Sequence, residues 1–89
     1  MSYTDFYSEE ITKKLSKLKK KSPLHYRILR KKMDQILEAP EHKYKELQHA
    51  MKGIQRVHIR HFVLTFRIDS NKKIVSFEDY EHHDKVYYR

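Results

Sequence analysis

Residues 55–68 read QRVHIRHFVLTFRI, and this stretch decides the fold. Successive side chains of a β-strand point to opposite faces, so alternating apolar and polar residues indicate a strand with one buried face. The first half of the stretch predicts a strand over residues 55–60 that turns Val57 and Ile59 towards a core. The side chains that then project to the opposite face are Arg56, His58 and Arg60.

The second half predicts the antiparallel partner strand, over residues 62–68, with His61 at the hairpin turn. Its core set is Leu64, Phe66 and Ile68, which leaves Val63, Thr65 and Arg67 on the outward face. Side chains that face each other on neighbouring strands lie about 5 Å apart. We therefore expect one contiguous cationic surface formed by Arg56, His58, Arg60 and Arg67.

Cap, turn and periodicity signals predict the rest of the chain. In the first half they indicate a strand over residues 3–7, a helix after a Ser8 cap and a second helix from Ser22-Pro23 to Ala39-Pro40. A connection over residues 41–52 follows and becomes extended, with a turn or bulge at Gly53. After the central hairpin they indicate a hairpin turn over 69–72 and a strand from about 74 to 81. The first helix carries Ile11, Leu15 and Leu18 at helical spacing, which marks its buried stripe.

These elements predict a single α+β domain over residues 1–89, with the order β-α-α-β-β-β. A helical hairpin is expected to pack on one face of a mainly antiparallel, twisted sheet. The other face is left open and should be polar.

Composition narrows the possible functions. The 89 residues hold 20 Lys and Arg against 12 Asp and Glu, a net charge of +8, which favours a polyanionic partner such as nucleic acid. Zero cysteines exclude a disulfide framework and a thiolate metal site. Neither an apolar membrane span nor a secretory signal is visible, so we expect a cytoplasmic protein that does not use a membrane.

Three stretches carry a resemblance to a known family: Leu47-x-x-x-Met51-Lys52-Gly53-Ile54-x-Arg56-Val57-x-Ile59, Phe62-x-Leu64-x-Phe66-Arg67-Ile68-Asp69 and the terminal His82-His83-Asp84-Lys85-Val86-Tyr87. With these stretches the chain resembles the RelE/ParE superfamily of type II toxins. The resemblance covers essentially the full chain, and the terminal motif is its most specific part. It implies a small toxin that a cognate antitoxin wraps and neutralises, and that acts on the ribosome by cutting mRNA.

The resemblance also implies site residues. Arg56 and His58 fall where RelE-like toxins place the basic residues of this strand, while His83 stands at the family's late arginine and Tyr87 at its terminal tyrosine. Val63 occupies the position of a common catalytic arginine. That departure is similar to the YafQ branch, whose site uses histidines; there His58 and His83 match, and His61 replaces an acidic residue.

Two hypotheses from different classes follow. In a ribosome-dependent endoribonuclease, His58 and His83 transfer protons, Arg56 holds the phosphate, His61 and Arg60 support the substrate, and Tyr87 stacks on or orients a base. Further contacts to RNA are expected from Lys52, Arg60, Arg67 and Lys85. No metal or other cofactor is expected, because His58 and His61 have neither cysteines nor carboxylates nearby.

The alternative is a protein of the same fold without nuclease activity. It could be a ParE-like toxin that acts on a protein target such as gyrase, or an inactive RNA-binding protein. Val63 in place of the arginine favours this alternative, whereas His58, His83 and Tyr87 favour cleavage.

Overall fold

A computed structural model of the protein describes residues 3–46 and 53–87, with backbone alone for residues 86 and 87. The elements are β1 (Thr4–Tyr7), α1 (Glu9–Lys21), α2 (Pro23–Glu38), β2 (Lys45–Glu46), β3 (Gln55–Ile59), β4 (Phe62–Asp69), β5 (Ile74–His82) and α3 (His83–Tyr87). The five strands form one sheet in the order β1-β5-β4-β3-β2. Three of the pairings are antiparallel and β1 runs parallel to β5.

The predicted α+β class is confirmed, since two helices pack on a mainly antiparallel sheet. Two small elements were not predicted. The connection after α2 forms the two-residue edge strand β2, and the short helix α3 follows β5, for which the sequence analysis predicted no element. The part of the connection that spans residues 47–52 lies outside the described residues.

Local chemistry explains why the two long helices form. Ser8 caps α1 by accepting a hydrogen bond from the Ile11 N–H at 3.1 Å. Acidic Glu9 and Glu10 lie in its first turn and three lysines in its last, as the helix dipole favours. Pro23 begins α2, where its missing N–H costs nothing. These are the boundaries that the sequence predicts.

The core lies between the helices and one face of the sheet. Its fully buried members are Ile11 from α1, Leu29, Met33 and Ile36 from α2, and Leu64, Phe66, Val75 and Phe77 from the sheet, with Ile59 and Tyr80 nearly buried. The predicted core positions Ile59, Leu64 and Phe66 are thus confirmed. Within the described residues, no helix combines the length and apolar character needed to cross a membrane.

A β-bulge in β5 changes which residues share a face. Thr65 pairs with Asp79 and Phe66 with Phe77, so Glu78 is the extra residue of β5. As a result Phe77 and Tyr80, three residues apart, both enter the core. Asp79 pairs with Thr65 and Glu81 with Val63, which leaves both acidic residues outside the core.

Two turns, one before β3 and one after β4, are fixed by the chemistry of single residues. Gly53 has a φ of 90°, in the left-handed region, so the predicted turn at the sole glycine is confirmed. In the turn after β4, the Asp69 carboxylate accepts hydrogen bonds from the N–H groups of Asn71 and Lys72, both at 3.0 Å. This carboxylate fixes the predicted hairpin turn.

Lys14 connects α1 to the last strand. Its ammonium lies 2.7 Å from the Asp79 carboxylate and also bonds Glu81. Burial alone would lower the pKa of Lys14, but the hydrogen bonds and charges of the two carboxylates outweigh it and raise the pKa. The lysine therefore stays charged and compensates two acids of the sheet.

Replacing Lys14 with Met should lower the free energy of unfolding by about 1–2 kcal/mol, between the values for an exposed and a buried pair. The apolar stem is kept, while Asp79 and Glu81 lose their cation. Urea unfolding followed by circular dichroism measures the loss. Lys13→Met, on an exposed neighbour in α1, is the matched control and should change stability by less than about 0.5 kcal/mol. Equal effects of the two substitutions would contradict a specific role for Lys14.

Candidate functional site

The candidate site lies on the sheet face away from α1 and α2. Arg56 and His58 project there from β3, because Val57 and Ile59 between and beside them turn to the core. His58 pairs across the sheet with Val63, and Val63 pairs with Glu81 on the other side. A histidine and a carboxylate thus flank one apolar residue of the central strand.

This face is less open than the sequence predicts. Val63 is 0% exposed and Thr65 is 7% exposed, although both were expected to point outward into solvent. They do lie away from the helices, since neither belongs to the core cluster. The short helix α3 packs against β4 and β5, and the longer side chains of neighbouring strands surround this row. Val63 is therefore a buried floor beneath the candidate site.

His58 and His83 come together although 25 positions separate them. Their ring centroids lie 5.6 Å apart, with the planes inclined by 36°. His83 is the first residue of α3, and its N–H donates to the His61 carbonyl at 2.8 Å. This bond fixes the start of α3 to the β3–β4 turn and so places His83 beside His58.

Three nearby cations affect His58. The Arg56 Nη1 lies 3.4 Å from the His58 Nδ1, and Lys45 on β2 pairs with Arg56 across the strands. Burial lowers the pKa of His58, and the charges of Arg56, His83 and Lys45 lower it further. The imidazole is therefore neutral at pH 7 and can accept a proton.

The structure does not gather all the predicted residues at this point. Arg60 is not in β3; it lies in the turn with a φ of 57°, and its charge acts on His25 and Tyr80 of the helix-facing side. The prediction that Arg60 shares a face with Arg56 and His58 is therefore wrong. The left-handed backbone of the turn rotates its side chain away.

Two other predicted residues lie apart from the histidine pair. Arg67 is on the same face, near the far end of β4, and forms an ion pair with Glu78 at 3.6 Å. His61 is exposed in the turn and stacks with His82, with 6.3 Å between centroids. The His61 carbonyl accepts the hydrogen bond from the His83 N–H, which makes His61 a support for α3.

The remaining predictions concern α3 and the segment between β2 and β3. Lys85 is exposed on α3 and lines a groove between α1 and β5 that neither His58 nor His83 lines. Tyr87 belongs to α3, but its side chain is outside the description. Lys52 lies outside the described residues. The roles of these three in binding or catalysis stay predictions.

Sequence reasoning missed three residues that shape the site. Lys45 adds positive charge beside Arg56, and Glu81 with its partner Lys14 borders Val63 from the other side. The signal for Glu81 was the three-residue spacing of the apolar Phe77 and Tyr80, which reveals the bulge. Lys45 gave no signal, because β2 contains two residues and no alternation.

Together these features define a class of small basic proteins. A helical hairpin covers one face of a mixed sheet in this class, and the other face carries histidines and arginine. No family model matches the chain. It is 42% identical over 78 residues to RelE4, a proposed toxin of Methanocaldococcus jannaschii, over 86% of this chain and 82% of that protein. The chain belongs to the RelE family of toxins.

Solved structures show the same fold. A double arginine-to-alanine mutant of the Escherichia coli toxin RelE in the free state superposes with a TM-score of 0.75, at 23% identity, over 99% of this chain and 93% of that one. The archaeal RelE–RelB complex of Pyrococcus horikoshii gives a TM-score of 0.67 at 15% identity, over 93% and 97% of the chains. The fold agrees with the 42% identity to RelE4, which confirms the resemblance inferred from the sequence.

The pKa of His58 can be measured directly. In an NMR titration of the imidazole protons, His58 should titrate below 6.5, its ordinary value. Arg56→Gln removes a positive charge beside the ring and should raise the midpoint. Arg27→Gln, on an exposed position of α2, is the matched control and should leave it unchanged. A His58 midpoint that does not respond to Arg56→Gln would contradict the electrostatic coupling.

Proposed function

We propose that this chain is the toxin of a type II toxin–antitoxin pair and that it inhibits translation by cutting mRNA on the ribosome. The single observation that carries the proposal is the His58–His83 pair beside Arg56. General base, general acid and phosphate-binding cation are the three groups that RNA transesterification needs. Family membership supports the toxin role, and the pair supports the chemistry.

The proposed reaction is an attack of the RNA 2′-OH on the adjacent phosphorus. A bond forms between O2′ and phosphorus while the bond from phosphorus to O5′ breaks. The proton of the 2′-OH passes to His58, and protonated His83 gives a proton to the departing O5′. The products are a 2′,3′-cyclic phosphate and a free 5′-OH, and no cofactor is consumed.

The geometry supports the proposed roles of His58 as the base and His83 as the acid. An imidazole nitrogen reaches a hydrogen-bond partner at about 3 Å. Since the ring centroids of His58 and His83 are 5.6 Å apart, both rings can reach one phosphodiester. The lowered pKa of His58 favours its role as the base, because its neutral form prevails at pH 7.

Arg56 is proposed to stabilise the negative charge on the phosphorane. Its guanidinium lies next to His58 and keeps its charge throughout the working pH range. Lys45 on the edge strand adds charge on the same side. Cations from β2 and β3 thus take the role that an arginine at position 63 would have, since Val63 is buried and apolar.

The proposed partners follow from relatives. RelE of Pyrococcus horikoshii was solved in complex with RelB, so a cognate antitoxin is the proposed partner that neutralises this chain. The net charge of +8 fits an acidic segment of such a partner and also fits RNA. Ribosome and mRNA are the proposed targets, which places the activity in the cytoplasm.

One observation favours a second function. Val63 is fully buried, so the β4 position that often carries an arginine in the family presents no charge. A toxin without nuclease activity, acting on a protein such as gyrase, would not require that charge. The two functions differ in what stops first after induction: translation in one case and replication in the other.

Replacement of His58 or His83 by Gln should reduce cleavage by about 10²- to 10⁴-fold, the range for loss of a general acid or base. Primer extension on cellular mRNA after induction measures the cuts, and amino-acid and thymidine incorporation report translation and replication. His42→Gln, an exposed histidine after α2, is the matched control and should cut like the wild type.

The competing outcomes are distinct. Cuts that persist in both histidine variants would refute the catalytic assignment. Growth arrest without cuts, with replication stopping first, would support the alternative that acts on a protein target. A wild-type chain that does not arrest growth would overturn the toxin role itself.

A further inference from the structure

A groove opens beside His58, where the pairing between the edge strand β2 and its neighbour β3 stops. β2 pairs with β3 at Gln55 and Arg56 only, so beyond Arg56 this side of β3 has no partner strand among the described residues. The space that is left measures about 500 Å³, and Lys43 and Lys45 line it together with His58. This feature is called the β2 groove below.

One wall of the β2 groove is anchored to the core. The Tyr44 hydroxyl donates to the Ala39 carbonyl at 2.8 Å, and the Tyr44 ring meets Phe66 edge-on with 5.2 Å between centroids. Tyr44 thereby fixes the chain immediately before β2. Lys43 and Lys45, on either side of it in the sequence, are exposed. The two ammonium groups are therefore carried by a segment whose position is fixed.

The β2 groove is positively charged. Lys43, Lys45 and Arg56 line it, whereas Glu41 and Glu46, the acidic residues that flank this segment, do not. Within the described part of the chain, no carboxylate forms an ion pair with either lysine. Coulombic attraction therefore favours an anion in this groove.

The proposed reaction gives the RNA a direction on this face. His58 takes the proton of the 2′-OH, which belongs to the nucleotide upstream of the cleaved phosphate, and His83 protonates the O5′ of the downstream nucleotide. The strand order places β5 and the α3 that follows it on one side of β3, and β2 on the other. Since the upstream nucleotide lies on the His58 side of the cleaved phosphate, the RNA that precedes it extends towards β2.

We propose that the β2 groove binds the phosphate immediately upstream of the cleaved one, through Lys43 and Lys45. The RNA then crosses the sheet with its 5′ end at β2 and its 3′ end at α3. Contacts to phosphates fix the register of a strand without reading its sequence. His42 also lines the groove but carries no part of the proposed contact. The inference rests on the proposed roles of His58 and His83, and adds a second phosphate site and the polarity of the strand.

The polarity can be read from paramagnetic broadening in NMR spectra of the full chain. A triadenylate with 2′-fluoro riboses cannot be cleaved, because it has no 2′-OH, and it carries a nitroxide at its 5′ end in one sample and at its 3′ end in another. The 5′ label should broaden the N–H signals of Lys43 and Lys45 more than those of His83 and Asp84, and the 3′ label should do the opposite. Reversed broadening, or equal broadening by both labels, would overturn the proposal.

The phosphate contact has its own readout. Lys43→Gln with Lys45→Gln should weaken binding of the triadenylate about tenfold at low salt and lower the salt slope by about 0.7, the value for one phosphate of a single strand. A neutral methylphosphonate at the first linkage should weaken binding to the wild type, but change binding to the double variant less than about twofold, because the lysines and this phosphate act as a pair. A methylphosphonate at the second linkage should weaken binding to both proteins.

The matched control removes the same charge elsewhere. Lys13→Gln with Lys20→Gln changes two exposed lysines of α1 that do not line the β2 groove, and the effect of the first methylphosphonate should persist in this variant. If the two double variants weaken binding equally, the lysines act through overall charge and the proposal is overturned. It is also overturned if the triadenylate shifts neither lysine's N–H signal, or if a triglutamate peptide shifts them more strongly.

These measurements are independent of cleavage. If mRNA is cut in a manner that needs both histidines but the labels show no polarity, the groove assignment fails and the proposed cleavage stands. If the labels show the expected polarity but no mRNA is cut, the strand path is supported and the proposed cleavage fails.

Discussion

The register shift at Glu78 is the constraint on which the rest of the structure depends. One extra residue in β5 puts Tyr80 in the core with Phe77 and leaves Asp79 and Glu81 outside it, where Lys14 bonds both. Without the extra residue, Tyr80 would leave the core and these two carboxylates would no longer lie where Lys14 reaches them. The same shift sets the register in which His82 pairs with Phe62.

The acidic residues of β5 form ion pairs with basic residues of other elements. Glu78 pairs with Arg67, while Asp79 and Glu81 pair with Lys14, so all three carboxylates of β5 are compensated within the fold. Cations meet without such acids on the other side of the same face, where Lys45 of β2 pairs with Arg56 of β3.

Much of the fold could be predicted because alternation and capping are local signals. Ile59, Leu64 and Phe66 are buried and Val57 is partly buried, as their period indicates, and Ser8 and Pro23 begin the helices. The site was predictable in part: Arg56, His58 and His83 do converge. Arg60 was misplaced because its turn adopts a left-handed backbone for which arginine gives no signal. The helix α3 was missed because five residues are too few to show a period of 3.6.

The parallel pairing of β1 with β5 has a consequence for how the chain folds. Among the described strands β5 is the only neighbour of β1, and Lys14 of the adjoining helix bonds residues 65 and 67 positions away. Contacts between such distant segments form late, since a long loop must close before they contribute. β1 is made before β5 and therefore waits for it, so this edge of the sheet is completed only after residues 74–82 have been synthesised.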